Sequence, residues 1–213
     1  MSVPGTTPAA LNARIVQLST VPLTRTATKL RQARIDKQGE TQALASYRDY
    51  EWQRMSYVHR LLPKRGSLLE VGPGRGYLSR MMARTGAFEP QIALDIVDTP
   101  NPAKKYGKTV EYRRMSVADL DYADDSFDVV ICMEVLEHLE TDVMLEGLRQ
   151  IRRVCRGRLI MSVPFLEALP LPSYHKQRFD AARVVETFPD ARYTLLLKEP
   201  VSRTPWILIE EKF

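Results

Sequence analysis

Two acids and a histidine follow directly on a strongly apolar segment. The segment Phe127–Met133 reads FDVVICM, and Glu134, Glu137 and His138 come immediately after it. Spacings of three and four residues let these side chains share one face of a turn. The imidazole could act as a general base toward a substrate hydroxyl, or the three groups could hold a divalent cation such as Mg²⁺ or Mn²⁺. The structural alternative is that they cap the next helix.

A glycine-rich turn earlier in the chain is the second group of interest. The apolar run Leu68–Val71 contains Glu70 and leads into Gly72, Gly74 and Gly76. Glycines at the carboxyl end of a strand let the backbone approach a ligand and turn sharply into a helix. The spacing is G-x-G-x-G and not the dinucleotide fingerprint G-x-G-x-x-G, which weakens an NAD-binding interpretation. A tight strand-to-helix turn is the structural alternative.

These two groups meet only if the chain alternates strands and helices. The apolar patterns predict strands at Ser67–Val71, Gln91–Ile96, Val110–Met115, Phe127–Met133, Arg158–Val163, Arg192–Leu197 and Trp206–Glu210. They predict helices at 41–62, Tyr77–Thr85, Thr141–Val154 and Phe179–Phe188. This alternation indicates an α/β fold with a doubly wound, mostly parallel, seven-stranded sheet. The last two strands have no helix between them and must pair as an antiparallel hairpin.

The first and fourth predicted strands should flank the switch point of such a sheet, where ligands bind outside the strand carboxyl ends. The sequence E-V-G-P-G-R-G at the glycine turn resembles motif I of class I S-adenosylmethionine (SAM) dependent methyltransferases. The order and spacing of motifs agree with that family over residues 66–165. The resemblance implies a Rossmann-like fold, SAM as cofactor and methyl transfer as the activity.

The same resemblance implies roles for residues beyond the glycines. Asp95 would accept hydrogen bonds from the ribose diol, and Ser116 and Val117 would contact the adenine ring. The family often has an acid at the position of Ser116, so Asp119 is the alternative partner. The implied SAM-binding set is Glu70, Gly72, Gly74, Gly76, Asp95, Ile96, Ser116, Val117, Asp119 and Met133.

A narrower resemblance concerns the E-x-x-E-H string after the fourth strand. It is similar to the metal-binding motif of ubiquinone-pathway O-methyltransferases and of small-RNA 2′-O-methyltransferases, in which a later histidine completes the site. His175 is the candidate here, in a proline-containing active-site loop at 164–180. The implied metal ligands are Glu134, Glu137, His138 and His175, and the implied catalytic residues are His138, Glu137 and His175. An exposed loop histidine is the alternative for His175.

An aliphatic hydroxyl is a poor nucleophile near neutral pH, so it needs a base or a metal most. The cluster therefore favours O-methylation of a small molecule, with a sugar as first acceptor class and a phenol or quinone precursor as second. Metal-independent methylation of a phenol or an amine is an alternative. A non-catalytic SAM- or nucleotide-binding module and an NAD-dependent reductase are the alternatives from other classes.

Charge and composition limit the partners. The chain has 213 residues and a net charge of +5, of which residues 1–40 carry +4 and residues 41–213 only +1. We therefore expect a basic N-terminal arm, a methyltransferase domain over 41–213 with a lid helix at 41–62, and no nucleic-acid partner. No apolar run reaches about 18 residues, and no signal-type segment opens the chain. Two cysteines without C-x-x-C spacing fit a reducing compartment, so we expect a cytoplasmic protein, with a homodimer as one possible assembly.

Overall fold

The computed structural model describes residues 15–16, 49–196 and 204–213. Most of the predicted basic arm, the first part of the predicted helix at 41–62 and the last residue of the predicted strand Arg192–Leu197 lie outside the described residues. The proposed domain boundaries therefore stay predictions. Among the described residues, no helix has both the length and the apolar character needed to cross a bilayer.

Strands and helices alternate as predicted over most of the described chain. The strands are β1 (Ile15–Val16), β2 (Gly66–Val71), β3 (Phe88–Asp95), β4 (Glu111–Arg114), β5 (Phe127–Met133), β6 (Cys155–Pro164), β7 (Arg192–Leu196) and β8 (Trp206–Lys212). The helices are α1 (Asp49–Leu61), α2 (Tyr77–Ala83), α3 (Pro102–Tyr106), α4 (Thr141–Val154) and α5 (Ala181–Thr187), with a 3₁₀ turn at Leu136–His138.

All of these strands form one sheet in the order β1-β7-β8-β6-β5-β2-β3-β4. Only β8 runs antiparallel to its neighbours, β6 and β7. The predicted α/β class, the mostly parallel sheet and the antiparallel C-terminal hairpin are therefore confirmed. The two-residue strand β1 adds an eighth strand beside β7, and two residues are too few to show a strand pattern in the sequence.

The sheet is covered on both faces because its central strands are apolar on both sides. On β5, Val130 and Cys132 pack in one core with side chains of α4, and Val129 and Ile131 pack in a second core with side chains of α1 and α2. Alternate residues of a strand point to opposite faces, so one apolar strand supplies both cores. The sheet is thereby a rigid base for the loops at its carboxyl edge.

The strand order reverses at β2, which pairs with β3 on one side and β5 on the other. The residues that follow these strands therefore meet at one edge of the sheet. The Gly72 N–H donates to the Leu94 carbonyl at 2.9 Å, and the Glu134 N–H donates to the Ser162 carbonyl at 2.9 Å. The glycine turn and the start of the acid–histidine string are thus fixed to neighbouring strands at the predicted switch point.

Candidate active site

The glycine turn after β2 has a backbone that other residues would strain. Gly72, Gly74 and Gly76 have φ angles of 64°, 51° and 72°, in the left-handed region that favours glycine. A Cβ atom at Gly72 would lie 2.3 Å from Cγ2 of Val135. A Cβ at Gly74 would meet no atom of the described residues within 4 Å. The backbone at Gly74 therefore faces open space, as a surface that receives a ligand must.

A cleft of about 290 Å³ lies on one side of this turn. Five predicted SAM-binding residues line it, namely Gly72, Gly74, Asp95, Ile96 and Val117. Apolar side chains that the sequence did not single out complete its walls, among them Leu94, Val97, Met115, Val135 and Leu139. The cleft therefore combines an acid at the end of β3 with a largely apolar lining, which suits a nucleoside.

Five predicted SAM-binding residues lie outside the lining of this cleft, namely Glu70, Gly76, Ser116, Asp119 and Met133. Gly76 forms the N-terminal boundary of α2. The Ser116 hydroxyl accepts a hydrogen bond from the Ala118 N–H at 3.2 Å, and Asp119 is exposed. Adenine contacts by Ser116 and Asp119 stay predictions, whereas the neighbouring Val117 reaches the cleft.

A second cleft of about 260 Å³ lies on the other side of the glycine turn. Glu70 and Met133 line it, as do Arg54 of α1 and Glu134. Nη1 of Arg54 is 3.3 Å from Oε1 of Glu134, and the Arg54 guanidinium stacks 4.1 Å from the ring centroid of Trp206. Arg54 is not among the predicted site residues, because it belongs to no motif and reaches the cleft only through the packing of α1.

Glu70 is buried at the floor of the second cleft. The Ser79 hydroxyl donates a hydrogen bond to Oε2 of Glu70. Burial raises the pKa of Glu70 from 4.5 to about 7, although the Ser79 hydrogen bond and the Arg80 charge act in the opposite direction. The motif acid is therefore anchored to α2 and ties the glycine turn to the helix that follows it.

The acid–histidine cluster forms beside the first cleft. Glu137, His138 and His175 each offer a ligand atom, and these atoms lie within 4.8 Å of one another. Nδ1 of His138 lies 3.0 Å from the Tyr174 carbonyl oxygen, which can only accept a hydrogen bond. Nδ1 of His175 lies 2.6 Å from Oε2 of Glu167. Nδ1 of His138 therefore carries the proton in the neutral imidazole, and its Nε2 keeps its lone pair.

Glu137 is the buried member of this cluster. Its side chain is 2% exposed, and its Oε2 is buried with no hydrogen-bond partner among the residues that the structure describes. Burial, and the nearby Glu134 carboxylate, raise the pKa of Glu137 from 4.5 to about 9. A buried carboxylate oxygen without a partner, beside two imidazole nitrogens, is a donor set that fits a divalent cation.

Glu134 has other partners than the two histidines. Its backbone has a φ of 55°, and its Oε1 accepts a hydrogen bond from the Ser162 hydroxyl at 2.7 Å in addition to facing Arg54. The structure thus brings together three of the four predicted metal ligands, Glu137, His138 and His175. Glu134 lines both clefts, and its role as a ligand stays a prediction.

Comparison with known proteins identifies the domain. A family model described as a methyltransferase domain matches residues 44–198, which is most of the chain. The chain belongs to this methyltransferase family. The predicted membership among class I SAM-dependent methyltransferases is therefore confirmed.

Part of the chain is similar in sequence to ubiquinone biosynthesis O-methyltransferases. It is 41% identical over 78 residues to the ubiquinone biosynthesis O-methyltransferase of Hahella chejuensis, which is 34% of the chain and 32% of that relative. It is 43% identical over 91 residues to the protein of the same name from Xanthomonas axonopodis pv. citri, or 40% of the chain and 38% of the relative. The matched segment spans only about a third of the length of these relatives.

Solved structures of methyltransferases share the fold. A 1,6-didemethyltoxoflavin-N1-methyltransferase from Burkholderia thailandensis, crystallised with S-adenosylhomocysteine, superposes with a TM-score of 0.60 and 18% identity, over 100% of this chain and 92% of that one. The N-methyltransferase NodS from Bradyrhizobium japonicum superposes with a TM-score of 0.59 and 15% identity, over 77% and 96% of the two chains. At such identities the likeness establishes the architecture of this methyltransferase and not its acceptor.

Proposed function

We propose that this methyltransferase transfers the methyl group of SAM to a hydroxyl of a small molecule. One observation carries the proposal: His138 lines the cleft beside the glycine turn and also belongs to the Glu137–His138–His175 cluster. The cofactor cleft and the group of residues able to activate a hydroxyl therefore share a side chain. An acceptor that contacts this cluster would lie next to the cofactor.

The two clefts divide the cofactor between them. Asp95 would accept hydrogen bonds from the ribose hydroxyls, and the apolar lining that includes Ile96, Met115 and Val117 would hold the adenine. The second cleft would hold the methionine part, with the guanidinium of Arg54 for its carboxylate and Glu134 for its ammonium group. The support is the charge of these side chains and their position on either side of the open backbone at Gly74.

The chemistry asked of the protein is modest, since methyl transfer from a sulfonium is an in-line displacement from an activated donor. The chain positions the acceptor and takes up its proton. Nε2 of His138 is suited to that task, because the Tyr174 carbonyl fixes the proton on Nδ1. His138 then removes the hydroxyl proton as the oxygen attacks the methyl carbon.

Glu137, His138 and His175 would alternatively hold a divalent cation such as Mg²⁺ or Mn²⁺. When bound there, the cation would supply a Lewis acid that lowers the pKa of the acceptor hydroxyl, so that its proton could pass to solvent water and not to His138. The two roles of His138 exclude each other, because a nitrogen that ligates a cation has no lone pair for a proton. We favour the cation, because it would give a partner to Oε2 of Glu137, which has none within the described part of the chain.

Two classes of acceptor fit this site. A sugar is the first candidate, because its neighbouring hydroxyls can chelate a hard cation held by the cluster. A phenol or quinone precursor is the second candidate, and the names of the curated relatives favour it. Cytoplasmic location and a homodimer stay predictions.

The test is an acceptor screen with methyl-labelled SAM, run with and without EDTA. We expect label on the oxygen of a hydroxylated small molecule, loss of that label in EDTA, and its return with Mg²⁺ or Mn²⁺. Full activity in EDTA would exclude a role for the cation and leave His138 as the base. Calorimetry with S-adenosylhomocysteine and with NAD is the companion measurement, and binding of NAD alone would overturn the proposal as a whole.

A further inference from the structure

Glu167 belongs to none of the motifs, yet it contacts the active-site cluster. It lies in the loop after β6, and its Oε2 is 2.6 Å from Nδ1 of His175. Both side chains are largely buried, with 13% of Glu167 and 9% of His175 exposed. The Arg178 side chain donates separately to the Glu167 carbonyl at 3.0 Å. The hydrogen bond from Arg178 therefore holds the backbone at Glu167 without involving the Glu167 carboxylate.

We propose that Glu167 is a positioning residue that holds His175 with its proton on Nδ1 and its Nε2 free for the cluster. This inference rests on the proposed function, since it assigns His175 to the site that activates the acceptor. Glu167 would act only through His175 and would not contact the reacting atoms.

Hydrogen-bonding chemistry carries the proposal. An ionised carboxylate can only accept, so the imidazole nitrogen that faces it must be the one that bears hydrogen. His138 is held in the same way by a different acceptor, the Tyr174 carbonyl. The two imidazole centroids lie 5.0 Å apart. In both histidines Nδ1 faces an acceptor, so Nε2 is left to face the cluster. Imidazoles that ligate a metal are typically held in this way, with the other ring N–H donating to a carboxylate or a carbonyl.

A structural role is the competing explanation, in which Glu167 merely fastens the loop. Glu167→Gln separates the two, because glutamine has nearly the same shape. Its amide can donate as well as accept, so it no longer dictates the tautomer of His175. The matched control is Glu140→Gln, which removes the same charge from an exposed carboxylate paired at 3.5 Å with Lys176, the neighbour of His175.

The first readout is ¹⁵N NMR of the histidine side chains in the full-length, metal-free protein. The chain has three histidines, which makes assignment by substitution simple. We expect His175 in the wild type to carry its proton on Nδ1, and that preference to be lost in Glu167→Gln but kept in Glu140→Gln. A wild-type His175 protonated on Nε2, or an unchanged His175 in Glu167→Gln, would overturn the proposal.

The second readout is Mn²⁺ binding, measured by electron paramagnetic resonance. We expect Glu167→Gln to bind Mn²⁺ about 10- to 100-fold more weakly than the wild type, and Glu140→Gln to match the wild type. An unchanged affinity in Glu167→Gln would overturn the positioning role. A wild type that binds no Mn²⁺ would contradict the cation part of the proposed function, whereas the NMR result would still decide the role of Glu167.

Discussion

Glu70 is a buried carboxylate whose ionisation links protein stability to pH. Its pKa is about 7 in the folded protein against an ordinary value of 4.5. Between these values the folded state binds more protons than the unfolded state, so the free energy of unfolding falls as pH rises from 4.5 to about 7. Glu70→Gln removes this part of the fall. The free energy of unfolding of the variant minus that of the wild type should therefore increase across that pH range, by up to about 3 kcal/mol.

Urea denaturation at about pH 5 and about pH 8 checks this expectation. Glu89→Gln is the control, because Glu89 is an exposed glutamate on the neighbouring strand β3. Equal differences between Glu70→Gln and wild type at the two pH values would contradict the expectation. The variant is compared with the wild type at each pH because the raised pKa of Glu137 makes the free energy of unfolding of both proteins fall further toward about pH 9.

The predictability of the site differs from residue to residue. Glu137, His138 and the glycines occur in short strings, where spacing and type indicate a role. The partners that complete the site carry no such signal. Arg54 reaches its cleft from a helix before the first long strand, and Glu167 meets His175 across eight residues of irregular loop. Those contacts arise from tertiary packing, which a local pattern does not contain.

The glycine turn should lose cofactor affinity when its open position is filled. Gly74→Ala places a methyl group on the face that we assign to SAM, in a turn with φ of 51°. Gly86→Ala is a matched control, because Gly86 has φ of 61° and a Cβ there would also meet nothing within 4 Å. Both changes should cost about 1–2 kcal/mol of stability through the same backbone strain.

Only Gly74→Ala should weaken S-adenosylhomocysteine binding, and we expect a loss of at least about tenfold, which is about 1.4 kcal/mol. Calorimetry measures the affinity, and urea denaturation measures the shared loss of stability. Equal affinities in the two variants would mean that the cofactor does not approach the turn at Gly74.

At the scale of elements, the amphipathic and strongly apolar segments were the predictable ones. The bounds of α4 and β5 match the prediction residue for residue, because each combines length with a clear pattern. The five-residue helix α3 was not predicted, since its start depends on the Asn101 side chain accepting from the Lys104 N–H. β6 begins at Cys155 and not at Arg158, because pairing of Cys155 with Phe127 of β5 extends the strand through Arg156 and Gly157, which carry no apolar pattern.

The charge distribution of the whole molecule bears on the acceptor. Residues 41–213 carry a net charge of only +1, and residues 1–40 hold the remaining +4. An enzyme that binds a nucleic acid neutralises many phosphates and releases their counterions. Because this release becomes less favourable at high salt, the affinity falls steeply as the salt concentration rises. A nearly neutral domain offers little of that electrostatic attraction, so we expect a small acceptor with little charge and not a nucleic acid.

We therefore expect the KM for the acceptor to change by less than about threefold between about 50 and about 200 mM salt, whereas a protein with several phosphate contacts loses about a thousandfold or more over that range. The measurement is the initial rate of methyl transfer by the full-length chain at several salt concentrations. Arg31→Gln combined with Arg34→Gln lowers the charge of the N-terminal arm and should leave KM unchanged. A steep salt dependence that this double variant reduces would instead place a polyanionic acceptor on the arm.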